Sequence, residues 1–410
     1  MENYTHWFYL ESYTFLFYSK NQYVIYNTLN STYIDCSLYG KTINTVLSIL
    51  HNTNKTYCVG IYEYQLRDSQ FTEFIKKIRN TFSGDIIKNI RGIPPFISKP
   101  ILRILHHPNN PKTKEYNLLG ENALFHLHEV TFYLENQGFD LNPMYKDCYK
   151  QFLYPTYTEK QKLSHAKYLE IIEQLSICQI DNIPATIEKK ELFSYLLSLS
   201  RQYSIKTQII LPYKKYNKED LKQLLINPQF SIMIMVHLPV DYEELNSYIN
   251  LFNEYNITWS LIASNKNDVI FLSKNNLGKF TNVDYIPWYT GDNMDFFKEY
   301  IYNDFKDIIE QKNTKQHIFR KQILNDNLFG KLTIFPTGEV YSNVNFPTIG
   351  NIQDQKLSEI VYSEIENYFK PWFFTRDYVS CKNCVNKYLC PSISNYEIVA
   401  NEYNMCYLNQ

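Results

Sequence analysis

Four cysteines close the chain in the frame C-x2-C-x5-C-x15-C: Cys381, Cys384, Cys390 and Cys406. They are half of the eight cysteines in 410 residues, a density that sets the tail apart from the rest. A C-x2-C pair brings two thiolates to one centre on a tight loop, and two more complete a four-sulfur shell. Pro391 stiffens the turn after the third sulfur. The chemistry this predicts is soft-metal ligation, by zinc or an iron–sulfur cluster. It is structural, because four protein sulfurs leave no coordination position for a substrate. Cys36, Cys58, Cys148 and Cys178 are scattered and read as ordinary half-buried residues. No basic constellation near Cys148 would lower its pKa and make it a nucleophile.

Other reactive side chains are sparser. His126 and His128 alternate on one face of a predicted strand and could share an ion. No carboxylate stands at ligand spacing, so two packed histidines are the simpler reading. His106-His107 lie in a polar, proline-flanked loop and read as exposed. Trp288-Tyr289 follow a strand and suit either a binding surface or a packed aromatic corner. The Lys214-Lys215 to Lys218 run reads as a solvated loop or helix cap. No glycine-rich phosphate loop, G-x-S-x-G elbow or HExxH helix is present.

The 41 basic and 42 acidic side chains leave a formal charge of −1, which gives no electrostatic footprint for nucleic acid or an anionic membrane. Met1 is followed by acidic and aromatic residues rather than a signal peptide, and the longest apolar stretch, Phe230 to Val240, is too short to span a bilayer. A cytoplasmic setting is therefore expected, where clustered thiols stay reduced and serve as ligands.

Three segments must position these residues. Residues 1–95 read as β-β-β-α-β-α, a small winged-helix-like module, from runs at Trp7 to Tyr18, Tyr23 to Thr28 and Thr32 to Ser37. Helices are expected at Thr42 to Leu50 and Asp68 to Phe82, with a strand over 56–66 between them. Phe71, Phe74, Ile75 and Ile78 form the apolar face of the second helix. The segment 91–100, with three prolines, is the expected hinge. Residues 100–315 alternate strands at 125–134, 178–183, 207–212, 231–239, 258–264 and 283–287 with helices at 159–176, 188–202, 218–225, 242–254 and 295–310. Strand spacing of about 25 residues is that of right-handed βαβ units, so a parallel α/β sheet, open or partly closed into a barrel, is predicted. Residues 320–410 read as a hairpin turning at Pro336-Thr337-Gly338, a helix at 356–369 and the cysteine tail. That last unit has too few apolar residues to hold itself without a metal.

A six-unit α/β region followed by a hairpin, a helix and C-x2-C-x5-C resembles a radical S-adenosylmethionine peptide maturase with a SPASM domain. The Gly350-Asn351-Ile352 stretch after the hairpin glycine Gly338 belongs to the same pattern. The resemblance implies a degenerate partial (β/α)6 barrel and one auxiliary [4Fe–4S] cluster held by Cys381, Cys384, Cys390 and Cys406. It also implies that the first 95 residues are a peptide-recognition module. A leader peptide would then pair with Tyr33-Ile34-Asp35 and pack against the helix bearing Phe74, Ile75 and Ile78.

The departures from that family matter as much. Its other auxiliary cluster needs a cysteine upstream of the hairpin, one five residues past the glycine and one after the C-x2-C-x5-C motif. Here Ile323 to Leu328 holds no cysteine, Asn343 stands at the second place and Ser394 at the third. After the first barrel strand, where the family carries CxxxCxxC, this chain offers only Cys148, and one thiolate cannot hold a [4Fe–4S] cluster. The glycine-rich turn that binds the methionine amine is also missing, since residues 180–187 contain no glycine. The whole resembles the pseudo-radical-SAM proteins of Bacteroidetes double-glycine peptide modification systems. That implies a non-catalytic partner of a precursor peptide and an active maturase, without S-adenosylmethionine. The residues alone leave open a zinc-stapled scaffold, or an enzyme reusing the barrel through His126, His128, Glu129 or Cys148.

Overall fold

A computed structural model of the chain describes residues 4–53, 56–90, 92–102, 123–133, 143–152, 163–176, 183–186, 207–214, 218–225, 230–275, 277, 282–367 and 371–409. His106, His107, Cys178, Lys215 and the helix expected at 188–202 lie outside them.

The N-terminal module runs β1 (His6–Leu10), β2 (Thr14–Ser19), β3 (Gln22–Asn27), β4 (Thr32–Asp35), α1 (Lys41–Asn52), β5 (Cys58–Ile61), α2 (Glu63–Leu66), α3 (Ser69–Asn80) and β6 (Gly84–Lys88). The sequence predicts one strand over Trp7 to Tyr18; the structure has two, in separate three-stranded sheets. A turn closed by the Thr14 amide on the Glu11 carbonyl (2.9 Å) splits the first aromatic run. β1 then becomes the centre of an antiparallel β5-β1-β6 sheet, and β2-β3-β4 forms a separate meander. The strand expected over 56–66 also stops at Ile61 and continues as α2. Lys20 and Asn21, both at positive φ, make the two-residue turn between β2 and β3. Asp68 caps α3 by accepting from the Gln70 and Phe71 amides. Ile43, Val46, Leu47 and Leu50 of α1 meet Phe71, Phe74, Ile75 and Ile78 of α3 in the module core.

The second region follows as β7 (Glu129–Tyr133), α4 (His165–Ser176), β8 (Ile183–Thr186), β9 (Thr207–Pro212), α5 (Lys218–Leu225), β10 (Phe230–His237), α6 (Tyr242–Leu251), β11 (Ile257–Ala263), α7 (Lys266–Lys274) and β12 (Val283–Pro287). The strands β7 to β12 pair in chain order, each parallel to the next. The architecture is thus mixed α/β, as the 25-residue spacing predicts. The helix expected over 295–310 is two, α8 (Met294–Tyr300) and α9 (Phe305–Glu310), because Asp304 caps a fresh start through the Asp307 amide.

The remainder is α10 (Lys315–Ile323), β13 (Lys331–Ile334), β14 (Glu339–Tyr341), β15 (Gly350–Asn351), α11 (Leu357–Asn367) and α12 (Asn395–Ala400). β13 joins β7 in parallel, and β14 and β15 extend the sheet antiparallel, giving the order β12-β11-β10-β9-β8-β7-β13-β14-β15. Gly338 turns the hairpin at φ 90°, where a Cβ would meet Asn351 Oδ1 at 2.6 Å.

Strand alternation gives this sheet two faces. Ile209, Leu211, Ile232, Ile234, Trp259 and Leu261 pack on α4 and α6. The opposite face carries Tyr133, Ile210, Met235, Ile262 and Phe335. Among the described residues no helix is long and apolar enough to cross a membrane.

Candidate metal centre

The cysteine tail folds as a series of short turns. The Cys384 amide donates to the Cys381 carbonyl (2.8 Å) and the Cys390 amide to Asn386 (3.1 Å). Cys406 is strapped to Asn303, whose amide donates to Met405 while its carbonyl accepts from Tyr407. Two of the thiols are raised by burial and by the others nearby: Cys390 senses Cys384, Cys381 and Cys406, and Cys381 senses Cys384 and Cys406. Burial pushes Cys390 up to about 12, with the Arg376 guanidinium pulling it back. Among the described residues, no three His, Cys, Asp or Glu side chains close to the spacing of a single ion.

Arg376 organises the turns. Its Nε donates to the Pro391 carbonyl (2.7 Å), its Nη1 to Tyr403 (2.7 Å) and its Nη2 to Glu397 Oε1 (3.1 Å). Nη1 also stands 3.8 Å from Cys381 Sγ. One buried cation thus ties the loops around Cys390 and Cys406 and faces the thiols. Burial alone would lower the Arg376 pKa, but Glu397, Cys390 and Cys381 together hold it above its ordinary value. Lys321, lowered to about 8 by burial, donates to Asn313 Oδ1 (2.7 Å) and Leu389 O (3.4 Å) on the Cys390 side. Four thiolates around a cationic centre leave a net negative site, so these two cations fit the donor set. Neither was anticipated from sequence, because nothing in a lone Arg or Lys announces burial. The capping box of Ser394 and Glu397 was the legible signal nearby.

The three places that the sequence resemblance assigns to another cluster do converge, and amides and hydroxyls occupy them. Asn325, fully buried, donates to the Phe374 and Ile393 carbonyls. The Asp326 amide donates to Ser392 Oγ, and Asn343 Nδ2 donates to Asn395 Oδ1 at 2.7 Å. Ser394 caps α12. Hydrogen bonds thus hold that junction together.

On the second face of the parallel sheet the segment 143–152 folds inward. Tyr149 stacks on Trp288 at 5.4 Å, and Phe152 and His237 meet the same ring at 6.2 and 5.2 Å. Gln151 locks this segment by donating to Cys148 O and Tyr289 O and accepting from the Tyr289 amide. His237 is pushed down to about 4 by burial and stays neutral. Burial, then Asp147 and Asp292, raise the Cys148 pKa, so it is no activated nucleophile. His126 and His128 are not strand neighbours: β7 begins at Glu129, and His126 ends a 3-10 turn. Gly330, at positive φ, presses its carbonyl on the His128 and Glu129 amides and so ends that turn. Cys148 lies near Gly291, beyond the other end of the strands, so histidines and thiol do not meet.

The β2-β3-β4 meander is shared. Leu16, Tyr23, Ile25 and Ile34 face α1 and α3, while Phe15, Phe17, Val24 and Tyr26 pack on Ile308, Ile318, Val385 and Leu389 beside the cysteines. Tyr33 donates to Asn386 Oδ1 (3.0 Å) and meets the Phe305 ring edge-on. Asp35 accepts from Gln22 and the Ser37 amide, and Ile34 is fully buried. Phe74, Ile75 and Ile78 are buried in the module core.

No protein-family model matches the chain, and no curated protein matches it. Among solved structures the chain is similar to SuiB from Streptococcus suis, with a TM-score of 0.44, 13% identity and 98% of this chain and 100% of that one covered. It is similar to SuiB bound to precursor peptide SuiA (0.42, 13%, 93% and 94%). Native anSMEcpe with bound AdoMet gives 0.44 and 11% identity, over 67% of this chain and 96% of that one. Likenesses of this strength assign no family, and the function rests on this chain's own residues.

Proposed function

We propose that the chain is a non-catalytic, pseudo-radical-SAM partner in the maturation of a ribosomally made peptide. It holds one [4Fe–4S] cluster on Cys381, Cys384, Cys390 and Cys406 and binds a precursor leader peptide, an active radical-SAM maturase, or both. The observation that carries this is the contrast in donors. Four thiols share one electrostatic site in the tail, whereas around Cys148 the space is taken by Tyr149, Phe152 and Trp288. C-x2-C pairs serve zinc and clusters alike, and the hairpin with the Gly350-Asn351-Ile352 stretch is what favours iron–sulfur here. Bound there, the cluster supplies a covalent staple between turns. Arg376 and Lys321 offset its negative charge, and Asn303 holds the Cys406 strand in place.

Peptide recognition belongs to the N-terminal module, where the outward main-chain groups of Tyr33 and Asp35 offer a β4 edge for strand addition. The test uses the full chain reconstituted anaerobically with iron and sulfide. Broad absorbance near about 400 nm, no S-adenosylmethionine cleavage under dithionite, and binding of an encoded short double-glycine peptide are expected. Cleavage of S-adenosylmethionine would overturn the reading.

A further inference from the structure

The β2-β3-β4 meander has a second edge, and a cleft runs along it. Phe15, Leu16, Phe17 and Tyr18 all line this cleft of about 270 Å³. Consecutive strand residues point to opposite faces, so four in a row line one cleft only where the strand stands edge-on to it. We propose that this β2 edge is the docking strand for an extended peptide segment carrying an acidic side chain, which adds as a fourth strand beside Cys384. The proposal rests on the peptide-binding reading above and moves the site from β4 to β2.

The register supports it. The Tyr23 carbonyl accepts from the Cys36 amide (2.9 Å), so its main chain is spent on β4. Tyr18, opposite Tyr23, is therefore in a non-hydrogen-bonded pair and turns its N–H and C=O away from β3, as does Leu16. The Leu16 amide faces the hydroxyl of Tyr57. Among the described residues nothing bonds the outward groups of Tyr18. Folded proteins blunt such edges with proline, charge or a bulge, and β2 carries none of these.

The walls indicate the occupant. Among the described residues no carboxylate lines the cleft. Lys99 caps the last carbonyls of α1 and stands 5.9 Å over the Tyr57 ring, with no acid paired to it among the described residues. Lys387 lies 4.9 Å over Tyr388 and is balanced from behind by Asp377. Tyr57 is fully buried, yet its hydroxyl has no aligned partner. A carboxylate in the cleft would give Lys99 a counter-charge and Tyr57 an acceptor. The volume falls just below the usual range for ligand clefts, roughly 300–1,000 Å³, and admits a short segment rather than a domain.

The test pans a random dodecapeptide phage library on the full-length, anaerobically prepared protein. Enriched sequences should alternate apolar and acidic residues. The best synthetic peptide should slow amide exchange in 14–19 and lose about tenfold in affinity with Tyr18→Pro, with Lys99→Glu, and when its own acid is made an amide. Lys99→Arg should retain binding. Tyr18→Pro removes an outward N–H, which an edge strand tolerates, and also the ring that stacks on Tyr23 at 4.6 Å. Tyr18→Ala, which keeps the N–H, should therefore retain more binding than Tyr18→Pro; exchange in the unmutated protein reports the site should a variant unfold. Protection confined to 32–35 would overturn this site and leave the peptide-binding reading standing. An absence of enriched peptides would sink both. A concentration-dependent dimer abolished by Tyr18→Pro would make the occupant a second copy of this chain and overturn the proposal, as would affinity indifferent to the peptide's acid.

Discussion

In the cysteine tail, four thiols and a buried guanidinium crowd short turns whose apolar side chains, Phe374, Val385, Leu389 and Ile393 among them, are also buried. On the second face of the parallel sheet, Tyr133, Tyr149, Phe152 and Phe335 close the space by packing, with Cys148 the one cysteine at its margin among the described residues. The two regions sit in one chain and face the same demand, to hold irregular loops in place. On the sheet face, burial of apolar area suffices. In the tail, the proposed ligand bonds would add folding energy to such burial. On the proposed reading the tail depends on its donors and the sheet face does not.

Removing one donor should break the comparison most violently. Cys384→Ala is expected to abolish iron binding, and because Val385 and Leu389 wall the contact with Phe15 and Phe17, it should also free the N-terminal module. Structural metal sites contribute on the order of 10 kcal/mol to their local fold. Iron analysis and protease resistance of the 92–102 stretch report both effects; unchanged resistance in an iron-free variant would mean that packing alone holds the junction.

A ring on the sheet face should matter less. Phe152→Ala is expected to cost about 3–5 kcal/mol in denaturant unfolding while leaving iron content unchanged. Loss of iron in that variant would show that the two regions are not independent.

Two buried titrating groups sharpen the picture with opposite signs. Glu364 on α11 is almost fully buried, and neither it nor the adjacent Ser342 hydroxyl has an aligned partner. Burial raises its pKa to about 7, above the 4.5 of an unfolded chain. The folded state then holds the extra proton, so stability falls as pH rises from about 4.5 through 7, by about 3 kcal/mol. His237 works the other way: its depressed pKa gives stability that is present above 6.5 and lost as pH falls toward 4. Between pH 4.5 and 6.5 the slopes oppose each other. Glu364→Gln should therefore make the protein more acid-labile than the parent across that window, as urea midpoints would record. Parallel curves for the two proteins would refute the assignment.

The smallest effect expected is at Tyr33. Tyr33→Phe removes one hydrogen bond to Asn386 and should cost about 1 kcal/mol. A larger loss of peptide affinity than of stability would return β4 to consideration as the docking edge.

Much of this was legible in the residues. Strands at Thr207–Pro212 and Val283–Pro287 and the helix Lys218–Leu225 fall where periodicity places them, because each is bounded by turn residues and has one period. The second sheet of the module was hidden, since Glu11-Ser12-Tyr13 interrupts an aromatic run with no glycine or proline to mark the break. Helices α7, α10 and α12 escaped because they are short, nine residues or fewer, and held by Asn265, Thr314 and Ser394 caps. The thiols stood out by spacing. Arg376, Lys321 and Asn325 did not, because their roles come from loops far apart in sequence that meet only in the fold.

The most direct test of the account is a count of iron and acid-labile sulfide in the anaerobically reconstituted full chain, alongside Cys148→Ala and Cys390→Ala. About four irons per chain, kept in the first variant and lost in the second, is the expected result. Iron that departs with Cys148, or zinc in place of iron in the parent, would contradict it.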